Sequence, residues 1–292
     1  MTKTPDDTNG VSFAAQPPQS DRRSFLRKTS LAGATGAIAL TGLLDVASAK
    51  AIGGSPSSRD HDHDDDHDDL RHEDIEILIA AEIAEALAVT TYSNIIENAP
   101  FFGRLPSDDQ GYLVAARQEE MSHYALEQSV TDKPSPFTSF FYPKNMFASA
   151  QTTLNTLVTL EDAFIAAYLV GVRNFSTTRL RVTAARIMGI ESDHRTLARV
   201  LGADVASQDG GPIEFIIGAQ GVAESIDPPN NNGYERTLCW TKIEQAVAAL
   251  TPFVDITAAK AASFDVSRSF PFEPFTAKLP NGLGEFFSFK GC

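Results

Sequence analysis

One pattern occurs twice in this chain, and it leaves few folds open. After Asp74 the sequence becomes four long segments, near 73–97, 108–130, 148–172 and 176–203, with apolar residues recurring at three- and four-residue spacing. That is the period of a helix buried along one face. The first and third segments each carry a glutamate inside the apolar stripe. Glu85 shares its face with Leu78, Ala81, Ala88, Val89 and Tyr92, and Glu161 with Leu154, Leu157, Val158, Phe164, Ile165 and Tyr168. The second and fourth segments carry Glu120-Met121-Ser122-His123 and Glu191-Ser192-Asp193-His194. The order Glu, Glu-x-x-His, Glu, Glu-x-x-His thus runs across four predicted helices.

A three-residue offset places the Glu and His of each pair on one helix face, within reach of a single ion. A lone ionised carboxylate in an apolar stripe costs several kcal/mol to bury unless a cation compensates it. Four glutamates and two histidines projecting into a bundle core form the ligand set of a dinuclear iron or manganese carboxylate site. One Glu-x-x-His is a weak signal; two, each preceded by a core-facing glutamate, are far more specific. Glu82, one turn before Glu85, is an alternative ligand. Glu119, about 100° off the face, reads as solvated, and Asp193 as outward. Tyr92 and Tyr168 each follow their glutamate by seven residues. They project near the site as hydrogen-bond partners, redox-active phenols or plain packing.

Composition narrows the remaining classes. The chain has 292 residues, 24 Lys+Arg against 38 Asp+Glu and a formal net charge of −14, which argues against a nucleic-acid binder, since phosphate affinity needs clustered cations. Two cysteines, Cys239 and Cys292, are too few for a thiolate metal site, and Cys239 beside Trp240 reads as a buried structural thiol. No nucleophile elbow, phosphate loop or dinucleotide-binding glycine pattern occurs. No apolar run is long enough to span a bilayer in the mature chain.

Outside the four segments the chain divides by composition. Residues 1–49 have the order of an export signal, with Arg22-Arg23-Ser24-Phe25-Leu26, a mildly apolar stretch and Ala47-Ser48-Ala49. The paired arginines resemble a twin-arginine signal, and the expected destination is periplasmic or extracellular. Residues 50–71 hold a dense Asp/His run, Asp60 to Asp69, expected to be a disordered tether or a loose metal-capturing tract. The bundle occupies 72–205. Within 206–262, Ile213 to Ile226 and Tyr234 to Ala262 read as additional helices. Residues 263–292 contain seven phenylalanines and read as an irregular arm, packed on its own bundle or on another copy.

Residues 72 to about 205 resemble the ferritin-like superfamily, specifically exported ferritin-like proteins related to desiccation-related proteins. The resemblance is carried by Glu85, Glu120, His123, Glu161, Glu191 and His194, with Asp74-Ile75-Glu76-Ile77-Leu78 opening the first helix. It implies that Glu120 and Glu191 bridge two metals, that Glu85 and Glu161 are terminal ligands, and that each histidine caps one metal. The expected fold is all-α, a four-helix bundle with extra C-terminal helices. The expected cofactors are two Fe or Mn ions, and the expected reactants are dioxygen or peroxide, as in a ferroxidase or a catalase-like oxidoreductase. Metal sequestration, or a stress-protective scaffold without turnover, is the alternative, in a monomer or small homo-oligomer.

Overall fold

A computed structural model describes residues 70–209 and 238–278. Four long helices dominate it: α1 (His72–Asn98), α2 (Ser107–Thr131), α3 (Ala150–Asn174) and α4 (Thr178–Asp209). They coincide with the four periodic segments to within a few residues, except that α4 runs on to Asp209. The helices associate as two pairs, α1 with α2 and α3 with α4, and the pairs meet along α1 and α3. The expected all-α bundle is present. The export signal, the Asp/His run and the expected helix at 213–226 lie outside the described residues.

Local chemistry fixes the ends of the helices. The Ser149 hydroxyl accepts from the Thr152 backbone N–H at 3.3 Å and caps α3, satisfying an otherwise orphaned donor. The buried Asp74 carboxylate accepts from the Arg71 and Ser176 backbone N–H groups at 3.1 and 2.8 Å, which ties the start of α1 to the α3–α4 turn. In the last turn of α3, a Cβ at Gly171 would come within 2.7 Å of the Phe175 ring, which would have to move.

The segment joining α2 to α3 has to cross the bundle, and it carries the one departure from an all-helical chain among the described residues. β1 (Ser139–Pro143) pairs antiparallel with β2 (Phe264–Pro271), bulging between Phe140 and Tyr142. The irregular arm expected from residue 263 therefore begins as a strand. Tyr142 docks this ribbon onto the bundle: its hydroxyl lies 3.0 Å from Thr91 Oγ1 on α1, and its ring meets Phe147, Phe253 and Phe270 edge-on. Phe264, Phe270 and Phe272 pack against Phe253, Tyr142 and Tyr124 of the same chain. The tail's described rings thus pack on its own bundle, Phe270 and Phe272 buried and Phe264 and Phe275 half-buried, while Phe286, Phe287 and Phe289 fall outside the described residues.

The stretch expected to be helical from Tyr234 to Ala262 is shorter: α5 (Ile243–Val254) and α6 (Ile256–Ala261). Asp255 separates them and caps α6 through the Ala258 N–H at 2.7 Å. Trp240 precedes α5, and Cys239 is exposed rather than buried, because no helix face is there to cover it. By length and composition α3 is apolar enough to cross a membrane, but 67% of that window is buried by the rest of the fold, as expected of a core helix.

Candidate metal centre

The buried side chains form two apolar clusters. One runs from Ile83 to Ile95 on α1 with Leu113 to Tyr124, Leu154 to Phe164 and Ala198 to Val205. The other joins Ile77 to Ala81 with Leu126, Tyr168 to Phe175, Ala184, Ile187 and Ile243. Glu85, Glu120, His123, Glu161, Glu191 and His194 fall near the changeover on their helices, and all six are buried. They form two groups, Glu85–Glu120–His123–Glu191 and Glu120–Glu161–Glu191–His194, in each of which one ligand-type atom per residue lies within 4.8 Å of the others. Glu120 and Glu191 belong to both.

The two shared carboxylates face both ways. Glu120 sends Oε2 to His123 Nδ1 at 3.4 Å and Oε1 to His194 Nδ1 at 2.9 Å. Glu191 sends Oε1 to His123 Nδ1 at 3.2 Å and Oε2 to His194 Nδ1 at 3.6 Å. Glu85 Oε2 lies 3.6 Å from His123 Nδ1. Despite these distances, both oxygens of Glu120 and Glu191, Oε2 of Glu85 and Glu161, and Nδ1 of both histidines have no hydrogen-bond partner. Lone pairs that converge without pairing are aimed at a common point, and buried polar atoms left this way are costly. The donor set of oxygen and imidazole nitrogen suits iron or manganese, so these residues could hold metal ions.

Burial and mutual charge set the protonation of the cluster. Burial, reinforced by the charges of Glu120 and Glu191, pushes the Glu85 and Glu161 carboxyls well above the usual range. Burial alone would lower the histidines, but Glu85 beside His123 and Glu120 beside His194 raise both imidazoles well above their ordinary value. Burial also pushes Glu120 upward; His194 and His123 outweigh it and hold this carboxyl below its ordinary range. The arrangement concentrates acidic groups that need positive charge, which protons or a cation can supply.

The two tyrosines make reciprocal contacts. Tyr92 of α1 donates to Glu161 Oε1 of α3 at 2.7 Å, and Tyr168 of α3 reaches Glu85 of α1. Such mutual contacts, seven residues from each glutamate, require α1 and α3 to run antiparallel. Tyr168 also lies 2.7 Å from Glu127 Oε1. A phenol has one proton, so one of the two carboxyls must bring its own. Burial, first, holds both Glu85 and Glu127 protonated above the usual carboxylate range.

Several neighbours were not legible in advance. Glu119, expected to be solvated, instead lies with Oε2 2.9 Å from His194 Nε2, because α4 packs against the flank of α2 and covers that position. Its contact leaves Nδ1 of His194 to face the cluster. Arg195 donates to Asp162 at 2.8 Å, each next in sequence to a site residue. Glu127, one heptad after Glu120, is fully enclosed, a spacing that could have flagged it. Glu82 does not join either group; its Oε1 accepts from Thr131. Asp193 is exposed, as expected.

A chain of paired antiparallel helices with a buried carboxylate–histidine centre where they meet is a ferritin-like bundle by its architecture. Comparison with protein families matches residues 73–203 to the ferritin-like domain, so this part of the chain is a ferritin-like domain. No curated protein matches the chain.

Proposed function

We propose that the bundle binds a dinuclear iron or manganese ion pair and is an oxidoreductase acting on dioxygen or peroxide. The observation that carries this reading is the set of unpaired carboxylate oxygens and imidazole nitrogens shared between two overlapping groups. Glu85 and His123 would hold one ion, Glu161 and His194 the other, and Glu120 and Glu191, each with one oxygen toward each histidine, would serve both. A metal pair in such a site supplies two-electron chemistry toward dioxygen or peroxide without an organic cofactor. The protein's own contribution is orientation: Glu119 fixes the His194 ring, Tyr92 and Tyr168 fix the outer carboxylates, and the apolar clusters on either side keep bulk water away.

Export by the twin-arginine route belongs to the same proposal. The supporting feature is Arg22-Arg23 ahead of the apolar stretch and Ala47-Ser48-Ala49. A route that carries folded protein allows the metal to be loaded before export.

The test is elemental analysis of protein purified from its native compartment, with and without residues 50–72. About two iron or manganese atoms per chain, retained without the Asp/His run, is the expected result, and consumption of dioxygen or peroxide would follow. Metal that disappears with that run would leave a sequestering tail on a scaffold and overturn the reading. Metal retained without turnover would leave sequestration by the bundle.

A further inference from the structure

Beside the metal centre the bundle contains a second feature, a partly open chamber. Its wall is built by α1 to α4 together with Ile243 of α5, and apart from four residues it is apolar, with Leu78, Phe164 and Ile187 among the lining side chains. The polar exceptions are unevenly placed. Glu127 and Tyr168 are buried at the inner end, Thr183 is half-buried, and Arg179 is exposed at the rim. Along α4 the chamber extends from Arg179 to Ile187, about 12 Å of helix. Glu127 Oε2 has no hydrogen-bond partner, and Tyr168 contacts both Glu127 and Glu85. The inner wall of the chamber is therefore the outer wall of the Glu85–His123 half of the centre.

We propose that this chamber binds an unbranched aliphatic monocarboxylate, chain inward and carboxylate at Arg179. An apolar lining with a few placed polar groups is the composition of a small-ligand site. The wall runs about 12 Å along α4, which suits an extended chain, and the rim guanidinium suits a carboxylate. Binding so placed brings the far end of the chain to Tyr168 and Glu127. The inference stands on the chamber and does not require the centre to hold metal.

The chain has a single tryptophan, and Trp240 packs against the cluster that supplies much of the chamber wall. Its fluorescence is therefore a direct reporter. Titration of the full mature chain with 12-bromododecanoic acid, whose terminal bromine quenches tryptophan, below its micelle-forming concentration, should quench Trp240 saturably, and laurate should displace it. Ala167→Phe and Thr183→Phe, which fill the chamber, should each weaken binding at least tenfold, whereas Val182→Phe on the neighbouring exposed surface should not. Arg179→Gln should weaken competition by laurate several-fold and leave dodecan-1-ol unchanged.

Absence of saturable quenching in the natural chain overturns the proposal. So does undiminished binding in whichever chamber-filling variant keeps the natural melting curve. Equal loss of laurate and dodecan-1-ol in Arg179→Gln overturns the assignment of the head group. The same titration on Glu120→Gln/Glu191→Gln protein, stripped of metal, separates this inference from the metal reading: quenching retained there supports the chamber whatever becomes of the centre.

Discussion

The two halves of the centre are nearly the same in sequence and different in surroundings. Each has a glutamate, a tyrosine seven residues later and a Glu-x-x-His. Around His194 the supports are fixed and charged: Glu119 on the ring nitrogen that points away from the cluster, and the Arg195–Asp162 pair one residue along. Around His123 the supports are protonated and adjoin open space: Tyr168 shared between Glu85 and Glu127, with the chamber behind them. The repeated residues set where an ion pair can bind, and the unrepeated ones decide how stiffly each half is held and what can approach it. The His194 half is built to hold its geometry, and the His123 half to admit change.

The largest effect should come from the residues common to both halves. Glu120→Gln/Glu191→Gln should abolish binding of about two metals per chain, while His123→Ala or His194→Ala should each leave about one. Elemental analysis of the three proteins decides this. Loss of both metals in either histidine variant would break the division into halves. The double variant should lower the melting temperature of the metal-free protein, since it removes from beside the raised imidazoles of His123 and His194 the carboxylate, Glu120, that they hold below its ordinary range.

A smaller and one-sided effect is expected of Glu119→Gln. A hydrogen bond from the remote N–H of a metal-binding imidazole to a carboxylate is worth about 10–100-fold in metal affinity. Titration should therefore show one weakened and one unchanged site. If both weaken equally, Glu119 acts on the whole bundle and the contrast between the halves is lost.

The next comparison is Tyr168→Phe against Tyr92→Phe in metal-free protein. Loss of Tyr92 leaves one carboxylate oxygen without its donor, whereas loss of Tyr168 strands Glu85 and Glu127 together. Each unsatisfied buried group costs about 1–3 kcal/mol, so Tyr168→Phe should be the more destabilising by chemical denaturation. Equal losses would mean that Glu127 does not depend on Tyr168.

Much of this was legible from the sequence because the helical period and the Glu-x-x-His offset are local. The four long helices, the convergence of Glu85, Glu120, His123, Glu161, Glu191 and His194, and the proximity of Tyr92 and Tyr168 all follow from spacing along single helices. What was not legible depends on which helix lies beside which. Glu119 is off the face of its own helix and is recruited by His194 from another. β1 is five residues without apolar alternation and becomes a strand because Phe264–Pro271, more than a hundred residues later, supplies its partner. Cys239 was misread for the same reason in reverse, since the helix imagined around it starts only at Ile243.

The smallest expected effect concerns Glu82, at the edge of the His123 half. Burial pushes its carboxyl up from 4.5 to about 7, only partly offset by the hydrogen bond from Thr131. In the unfolded chain the group titrates at its ordinary value, so between 4.5 and about 7 the native state binds more protons than the unfolded state. Stability then falls as pH rises through that window, and the cost of ionising Glu82 in the fold is fully present above it. Melting temperatures of metal-free protein at a series of pH values should decline from about 5 to about 8, less steeply for Glu82→Gln than for the natural chain. The variant keeps part of the decline, because Glu85, Glu127 and Glu161 are raised in the same direction. Identical slopes for the two proteins would mean that Glu82 ionises as easily in the fold as in water, and that the protonated character of this half ends at Glu127.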